Sequence, residues 1–398
     1  MRKGPARAPS VTKALPIAGP LLGWFESARR DLPWRREPRD PYCTWISEVM
    51  LQQTRVDVVV PYYTKFLARF PTLRALAQAP LDDVLAHWSG LGYYARARNL
   101  HKAAQVALSA HGALPGTAAA LAELPGFGPY TANAVASLAF GEQVPLVDGN
   151  VGRVLSRVLR LPGDPAAVRA LAWEAAGALL PAGKAGVFNE ALMELGATVC
   201  TPRAPDCAEC PLAKLCGAGK QGDAERFPAP KPQRARPQVE WAAVCVRRHD
   251  GAVLLARHAP GERGALFAGL WDLPSVQLGE VPDEPLFSGA AAKAALGALR
   301  ARGLPVGGLK LRPLGMVEQT LTHRELRVHL FGVAVGEGAP LAKARVEREV
   351  VRWVEPTAEA LGAVGLSSLA RKSLRACGLA APRGATGAAR AATPKRSE

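Results

Sequence analysis

Four cysteines stand close together near the middle of the chain. Cys200, Cys207, Cys210 and Cys216 have the spacing C-x6-C-x2-C-x5-C. Thiolates are soft ligands, and four of them suit either an iron–sulfur cluster or a zinc ion. Four thiols without a ligand at such short spacing would be prone to oxidation. The pattern therefore predicts a metal centre and leaves the choice between iron and zinc open.

Two carboxylates outside this loop could act as a pair. Glu48 lies in WISEVMLQQT and Asp148 lies in VPLVDGNVGRVLSR. Removal of a purine from its sugar needs a proton on the base and a negative charge beside the developing sugar cation. Two carboxyl groups divide this work when an apolar setting keeps one neutral while the other stays ionised. Taken alone, however, Asp148 is better explained as the N-cap of a helix.

A glycine-containing turn joins two helical patterns in LPGFGPYTANAV, residues 124–135. Gly126 and Gly128 permit a tight turn of the helix-hairpin-helix kind. Such a hairpin offers backbone N–H groups at a helix N-terminus to a DNA phosphate, without base preference. An ordinary corner between two helices explains the glycines equally well when the segment is considered by itself.

These residues lie in a region of helical periodicity. From about residue 21 to residue 195 the apolar residues recur at helical spacing and rarely alternate as in a strand. Residues 221–239 are rich in proline and charge, which is typical of a linker. The segments beyond it predict strands in VEWAAVCVRR, AVLLARH, LRPLGMVEQTLTH and ELRVHLFGVAV, and helices in AAAKAALGALRA and SSLARKSLRACG.

We therefore predict a multidomain protein, because 398 residues exceed what one core usually holds. An all-α domain, residues 19–220, is followed by the linker, residues 221–239, and an α+β domain, residues 240–378. Residues 1–18 and 379–398 are basic and lack a core pattern, so we expect them to be disordered arms.

The composition favours a polyanionic partner. The net charge is +16 and the pI is about 9.9, which suits nucleic acid, although basic tails or a generally basic proteome would also explain it. Seven cysteines are too sparse for a disulfide scaffold and indicate a reducing compartment. No apolar stretch is long enough to cross a bilayer. We expect a cytoplasmic, nucleoid-associated monomer without a membrane partner.

Residues 21–220 resemble the adenine DNA glycosylases of the MutY type almost continuously. The matching segments are LPWR, WISEVMLQQTRVDVVVPYY, GLGYYARARNLHKAA, LPGFGPYTANAV, VDGNVGRV and FNEALMELGATVC. The resemblance implies a helix-hairpin-helix fold of the endonuclease III superfamily, whose cysteine loop holds one 4Fe-4S cluster. It also implies base excision repair, in which double-stranded DNA loses adenine that is mispaired with 8-oxoguanine or guanine.

The resemblance assigns the catalytic roles. Glu48 would protonate adenine N7 and later activate water, Asp148 would stabilise or capture the sugar cation, and Asn150 would orient the pair. Tyr130 stands where bifunctional relatives carry the lysine that forms a Schiff base, which implies base excision without strand cleavage. Gly152 replaces a lysine found in some relatives, and we expect this to remove only a side reaction.

The resemblance also implies contacts with DNA from which the adenine has been flipped. Gln53 would wedge into the base stack and Leu51 would line the pocket, with Thr54 nearby. Tyr93 would intercalate beside 8-oxoguanine, close to Leu91. Without the resemblance, simple core packing explains Leu51, Leu91 and Tyr93 better. Arg35 and Glu190 would meet the extruded adenine.

The C-terminal domain resembles the Nudix-like module of the same family, which reads the damaged base, and its GLWDLP segment fits that module. The stretch SGAAAKAALGALRA has none of the acidic residues that hold magnesium in a Nudix hydrolase. The family's recognition loop usually reads Phe-Ser-His, and its counterpart here is Leu321, Thr322 and His323. Thr322 keeps a hydroxyl, whereas Leu321 removes an aromatic contact.

Three alternatives differ from this interpretation in class. An endonuclease III-like lyase needs a lysine at position 130, where this chain has Tyr130. A non-catalytic DNA-binding protein would not need Glu48 and Asp148. A hydrolase of the nucleotide pool would release phosphate from 8-oxo-dGTP with magnesium.

Overall fold

The computed structural model describes residues 15–229, 235–258, 267–279, 289–343 and 350–379. The chain divides into two compact units, one formed by residues 1–77 and 102–233 and the other by residues 78–101 and 234–398. This division differs from the predicted boundaries at residues 78–101, which we had assigned to the helical domain. They belong to the second unit because Ser89 and Tyr94 both donate hydrogen bonds to the carbonyl of Leu366.

The described part of the first unit is helical and contains no β-strand, as its periodicity predicts. Its helices are α1 (Ala18–Ala28), α2 (Pro41–Leu51), α3 (Val56–Arg69), α4 (Leu73–Gln78), α6 (Ala95–His111, shared with the second unit), α7 (Ala118–Ala122), α8 (Pro129–Ala139), α9 (Gly149–Val158), α10 (Pro165–Leu179), α11 (Ala185–Thr198) and α12 (Gly217–Gln221). None of the helices in the described residues is both long and apolar enough to cross a membrane.

The helical domain begins earlier than predicted. Ile17 is fully buried, and Leu15 packs against the same core, which Leu21 and Phe25 of α1 enter from the next turns. The arm predicted for residues 1–18 is therefore too long, because the isoleucine immediately before the helix completes its apolar face. Residues 1–14 lie outside the described residues.

The linker is also shorter than predicted. α12 ends at Gln221, and a short 3-10 helix follows at Ala224–Arg226, where Ala224 is buried. Asp223 anchors this segment through an ion pair with Arg160, whose Nη1 lies 2.6 Å from Asp223 Oδ1. Residues 230–234 lie outside the described residues, and the first strand begins at Gln238.

The described part of the second unit contains a seven-stranded mixed sheet. Its elements are α5 (Leu81–Trp88), β1 (Gln238–Arg248), β2 (Val253–Arg257), β3 (Trp271–Asp272), β4 (Ser275–Gly279), α13 (Gly289–Arg300), β5 (Arg312–Thr320), β6 (Glu325–Val335), α14 (Pro340–Lys343), β7 (Val351–Val354), α15 (Ala358–Gly362) and α16 (Ser368–Ala376). The order is β3-β2-β1-β6-β5, with β4 paired to β1 and β7 paired to β2. β1 and β6 run parallel from Gln238↔Glu325 to Arg248↔Val335, and the other pairs are antiparallel.

Helices cover both faces of this sheet, which explains why β1 is apolar without a break from Trp241 to Val246. Trp241, Ala243 and Cys245 enter the core that includes α16, while Ala242 and Val244 enter the core that includes α13. Because side chains alternate along a strand, a strand buried on both faces reads as a continuous apolar run.

The predicted α+β class of the C-terminal part is confirmed, together with its four strands and two helices. The sequence did not reveal β3, β4, β7, α14 and α15, since segments of two to five residues are too short to display a period. Leu379 is buried in the core, so the predicted tail begins one residue too early. The rest of that tail, residues 380–398, lies outside the described residues.

Candidate active site

A cleft of about 1300 Å³ opens in the first unit and is lined by every site residue that we predicted there except the four cysteines. These residues are Arg35, Glu48, Leu51, Gln53, Thr54, Gly126, Gly128, Tyr130, Asp148, Asn150 and Glu190. They come from the segment between α1 and α2, from α2 and the turn after it, from the hairpin and the first turn of α8, from the start of α9, and from α11. Folding therefore brings together residues that lie more than a hundred positions apart in the chain.

Glu48 sits on a helix that is buried on nearly all sides. Asp40 caps α2 by accepting a hydrogen bond from the Cys43 backbone N–H at 2.7 Å, and Pro41 begins the helix. Trp45 stacks on Phe127 of the hairpin with ring centroids 5.1 Å apart. This packing leaves Glu48 only 4% exposed.

The burial of Glu48 changes its acidity. Loss of solvation raises the pKa of this carboxyl from 4.5 to about 7, and the negative charges of Asp148 and Glu190 act in the same direction. A hydrogen bond from Tyr130 and the positive charge of Arg35 oppose the rise. The group therefore exchanges its proton near neutral pH, as a general acid requires.

Tyr130 lies one residue into α8, which Pro129 begins. Its hydroxyl donates to Glu48 Oε2 at 2.5 Å and lies 3.5 Å from Met193 Sδ. Burial and the neighbouring carboxylates raise the pKa of Tyr130 well above its usual value, so the phenol stays protonated and remains a donor. This hydroxyl holds the carboxyl of Glu48 in one orientation.

Asp148 is both a helix cap and a member of the cleft. Oδ1 accepts from the Val151 backbone N–H at 2.7 Å at the start of α9, and Oδ2 accepts from Asn150 Nδ2 at 3.1 Å. Burial raises the pKa of Asp148 above its usual value, although the hydrogen bonds from Val151 and Asn150 partly offset the rise. The N-cap interpretation is thus correct as geometry, and it does not compete with a role in the cleft.

Arg153 holds Asn150, the partner of Asp148, in place. We did not predict this role from the sequence. Its guanidinium donates to Asn150 Oδ1 at 2.9 Å, to the Gly196 carbonyl at 2.7 Å and to the Cys200 carbonyl at 2.8 Å. One side chain therefore joins the start of α9 to the end of α11 and to the cysteine loop.

A buried network of arginines and glutamates forms another wall of the cleft. Arg35 donates to Glu190 Oε1 at 2.7 Å and to Glu194 Oε2 at 2.9 Å. Arg39 donates to the other oxygen of Glu190 at 2.8 Å, and Arg30 binds Glu194 with both Nε and Nη2. Burial raises the pKa of Glu194, but the hydrogen bonds and charges of Arg30 and Arg35 outweigh it and hold that pKa below its usual value. Arg39 and Glu194 carried no motif from which we could predict them.

The turn after α2 presents its side chains to the cleft. Gln53 is exposed and has a φ of 58°, which is uncommon for a residue other than glycine. Gln52 fixes the turn from behind, because its Nε2 donates to Thr131 Oγ1 of α8 at 3.0 Å. A backbone held in this region by its surroundings is typical of functional sites.

The hairpin has the predicted geometry. Gly126 has a φ of 80°, as the tight turn requires, while Gly128 has a φ of −85° and is the N-cap of α8. A Cβ at Gly128 would meet nothing within 4 Å, so the N-terminus of α8 is open to a ligand. The two glycines therefore serve different purposes.

The four predicted cysteine ligands line a separate cavity of about 130 Å³ in the first unit. Arg157 is buried beside it and donates to Cys200 Sγ at 3.3 Å, and the Gly219 backbone N–H donates to Cys216 Sγ at 3.3 Å. In the described residues Arg157 pairs with no carboxylate and otherwise donates to backbone carbonyls. A buried guanidinium needs a nearby anion, and metal-bound thiolates at Cys200 and Cys216 would supply it.

The remaining predicted residues lie in the second unit. Tyr93 is 41% exposed and has a φ of 48°, and its hydroxyl lies 2.5 Å from Thr322 Oγ1. Thr322 and His323 are exposed at the turn between β5 and β6, whereas Leu321 packs against the core. Leu91 is 7% exposed, which fits the core-packing alternative.

Comparison with known proteins places this geometry in a family. Residues 46–177 match the HhH-GPD superfamily base excision DNA repair protein family. Over 386 residues the chain is 37% identical to the human adenine DNA glycosylase, covering 83% of this chain and 69% of the human protein. The chain belongs to the adenine DNA glycosylase family.

A second adenine DNA glycosylase agrees with this assignment. The rat adenine DNA glycosylase is 36% identical over 388 residues, covering 84% of this chain and 73% of the rat protein. A solved structure of a thermostable thymine-DNA glycosylase is 34% identical and covers 51% of this chain and 94% of its own, with a TM-score of 0.46. The predicted family, the predicted fold class and the prediction of an enzyme are confirmed.

The family match bears directly on the cleft of this adenine DNA glycosylase. Residues 46–177 contain Glu48, Tyr130 and Asp148, and they also contain the hairpin. Glu190, Glu194 and the four cysteines follow the matched region but lie within or beside the same helical unit. The individual roles of these residues remain predictions.

Proposed function

We propose that this adenine DNA glycosylase hydrolyses the N-glycosidic bond of adenine mispaired with 8-oxoguanine, or with guanine, and leaves the DNA strand uncut. The observation that carries the proposal is the contact between Tyr130 and Glu48 in a cleft shared with Asp148. It places a carboxyl group whose pKa is about 7 in the same cleft as a second carboxyl group that accepts hydrogen bonds from Val151 and Asn150.

The first step uses the proton of Glu48. Because the Tyr130 hydroxyl donates to Oε2, the proton of the neutral acid belongs on Oε1, from which it passes to N7 of the extruded adenine. The C1′–N9 bond then breaks, and its electron pair leaves with the protonated base. Glu48 is now a carboxylate and removes a proton from the water that adds to C1′.

Asp148 acts on the sugar. Its carboxylate is oriented by Val151 and Asn150 at the start of α9, and its charge stabilises the oxocarbenium character at C1′. The same charge raises the pKa of Glu48, so an ionised Asp148 helps Glu48 to keep its proton. The overall reaction consumes one water and yields adenine and an abasic site.

The cleft offers no amine for strand cleavage by a Schiff base. Among the described residues that line it there is no lysine, and position 130 holds a tyrosine. A phenol does not form an imine with the opened sugar, which supports a monofunctional enzyme.

Recognition of 8-oxoguanine is proposed for the second unit. Tyr93 presents an exposed ring on a constrained backbone, and Thr322 and His323 offer polar groups at an exposed turn. Double-stranded DNA is the proposed partner of a monomeric enzyme, with a phosphate bound at the N-terminus of α8.

We further propose that the cysteine cavity holds one 4Fe-4S cluster. No three Cys, His, Asp or Glu side chains in the described residues converge as the ligands of a single ion would, whereas all four thiols surround one cavity. A four-iron cluster takes one thiolate at each corner, so spread thiols fit it better than zinc. When bound, the cluster would fix the loop after α11 as a cross-link.

The test is single-turnover incubation with labelled duplexes that carry adenine opposite 8-oxoguanine, guanine or thymine, followed by analysis with and without alkali. We expect excision opposite 8-oxoguanine, with breaks that appear only after alkali. In the Glu48→Gln variant excision should fall by roughly 10²- to 10⁴-fold while mispair binding is kept. Breaks without alkali would support a lyase, and unchanged excision by the variant would refute the role of Glu48.

A further inference from the structure

One arginine in the cleft differs from the others. The cleft is lined by Arg30, Arg35, Arg39, Arg55 and Arg169. The first four each have a carboxylate oxygen within 3.0 Å. Arg169 is exposed and makes no ion pair or side-chain hydrogen bond with any residue that the structure describes. It is therefore the cleft arginine whose charge is not balanced within the described part of the chain.

Arg169 shares its helix face with an aromatic residue. Trp173 follows one turn later on α10 and also lines the cleft, and residues four apart on a helix lie side by side. Trp173 is half-buried, because part of its ring packs against the core of the first unit. α10 packs against α9, the helix that Asp148 caps. We define Arg169 and Trp173 as the α10 face.

We propose that the α10 face binds the sugar–phosphate backbone of the DNA strand in the cleft, with Arg169 pairing with a phosphate and Trp173 packing against the adjoining sugar. This inference rests on the proposed function for the identity of the ligand. An unbalanced guanidinium provides the fork of donors that matches phosphate oxygens. A ring that is partly exposed in a cleft gains by covering an apolar surface such as deoxyribose. The contact carries no base information, since every nucleotide has the same phosphate.

The test measures binding and its salt dependence in the full-length chain. Glu48→Gln protein is titrated with fluorescent duplexes, one holding the adenine:8-oxoguanine mispair and one fully paired, over a series of KCl concentrations. The same titrations are repeated with the double variant that carries both Glu48→Gln and Arg169→Gln. The matched control is Arg74→Gln, which removes an exposed arginine of α4 that does not line the cleft. Thermal melting checks that both variants are folded.

We expect Arg169→Gln to weaken binding equally for both duplexes and to reduce the slope of log K against log salt by about 0.9, the value for one phosphate contact. Arg74→Gln should leave the slope unchanged.

An unchanged slope in Arg169→Gln, or a loss of affinity confined to the mispaired duplex, overturns the inference. If wild-type protein excises adenine and the slope is unchanged, only this inference fails. If the slope falls but wild-type protein excises nothing, the proposed function fails and the phosphate contact stands. Absence of any DNA binding overturns both.

Discussion

Gly196 of α11 lies against the backbone of Asn150 at the start of α9. A Cβ built on Gly196 would be 2.6 Å from Asn150 Cβ and 3.0 Å from Asn150 Cα. Real Cβ atoms essentially never come as close to another atom as 2.6 Å, so the two helices meet here only because position 196 has no side chain. Since Asn150 donates to Asp148, this close contact sets the position of the cleft carboxylate.

We therefore expect Gly196→Ala to reduce excision although residue 196 does not contact DNA. The added methyl group should destabilise the fold by about 1–3 kcal/mol through overpacking. Displacement of Asp148 should slow excision by up to about 10²-fold. The control is Gly177→Ala in α10, where the new Cβ would meet Pro145 Cγ at an ordinary 3.8 Å. It should be neutral or stabilising by about 0.4–1 kcal/mol. Equal melting temperatures and rates for the two variants would contradict this prediction.

The hydrogen bond between Tyr130 and Glu48 predicts a shift in the pH profile. Excision needs neutral Glu48, whose pKa is about 7, so the single-turnover rate should fall as the pH rises through that value. The Tyr130 hydroxyl stabilises the carboxylate and lowers this pKa. Tyr130→Phe should therefore move the alkaline limb of the pH–rate profile to higher pH. Tyr42→Phe, which loses a hydrogen bond to the Phe70 carbonyl away from the cleft, is the control and should leave the limb in place. A limb that moves to lower pH in Tyr130→Phe would refute the assignment.

Glu48 should also make stability depend on pH. Below pH 4.5 the carboxyl is protonated in both folded and unfolded chains, so its burial carries no charge penalty. As the pH rises to about 7 the unfolded chain loses its proton first, and the fold loses about 3 kcal/mol. Glu48→Gln should remove this loss. Its melting temperature should therefore exceed that of the wild type, and the difference should grow from pH 5 to pH 8. A constant margin across that range would show that Glu48 is not held neutral by the fold.

The two roles of Asp148 can be separated by two substitutions. Asn is as good an N-cap as Asp but carries no charge, so Asp148→Asn should keep the melting temperature and lose roughly 10²- to 10³-fold in excision rate. Asp148→Ala should lose the cap as well and cost about a further 1 kcal/mol of stability. Normal excision by Asp148→Asn would leave the cap as the only role of this residue.

The cysteine cavity predicts the metal content. Purified protein should be brown and contain about four irons with matching sulfide, as a 4Fe-4S cluster requires. Cys210→Ser should remove a ligand, reduce the iron content and lower stability. Cys43→Ser, at a half-buried cysteine outside the cavity, should retain the colour. One zinc per chain in the wild type would overturn the cluster proposal.

The sequence by itself determined the features that depend on local chemistry. Helical periodicity, the four spaced cysteines, the glycines of the hairpin and the apolar runs of β1 and β6 each express a preference within a few residues. The family resemblance assigned roles to Glu48 and Asp148 and added Tyr130, and the cleft contains all three.

Only the tertiary structure decided which side chains pair across the cleft. Arg39 and Glu190 are 151 positions apart, and Arg30 and Glu194 are 164 apart, so no local pattern links them. Residues 78–101 continue the helical pattern, yet they pack within the second unit. Their own sequence does not predict the contacts that place them there. The pKa of Glu48 likewise depends on the burial of α2 and on charges supplied by α9 and α11. These properties arise because packing fixes the distances between charged groups and excludes water from them. Neither can be deduced from the order of the residues in the chain.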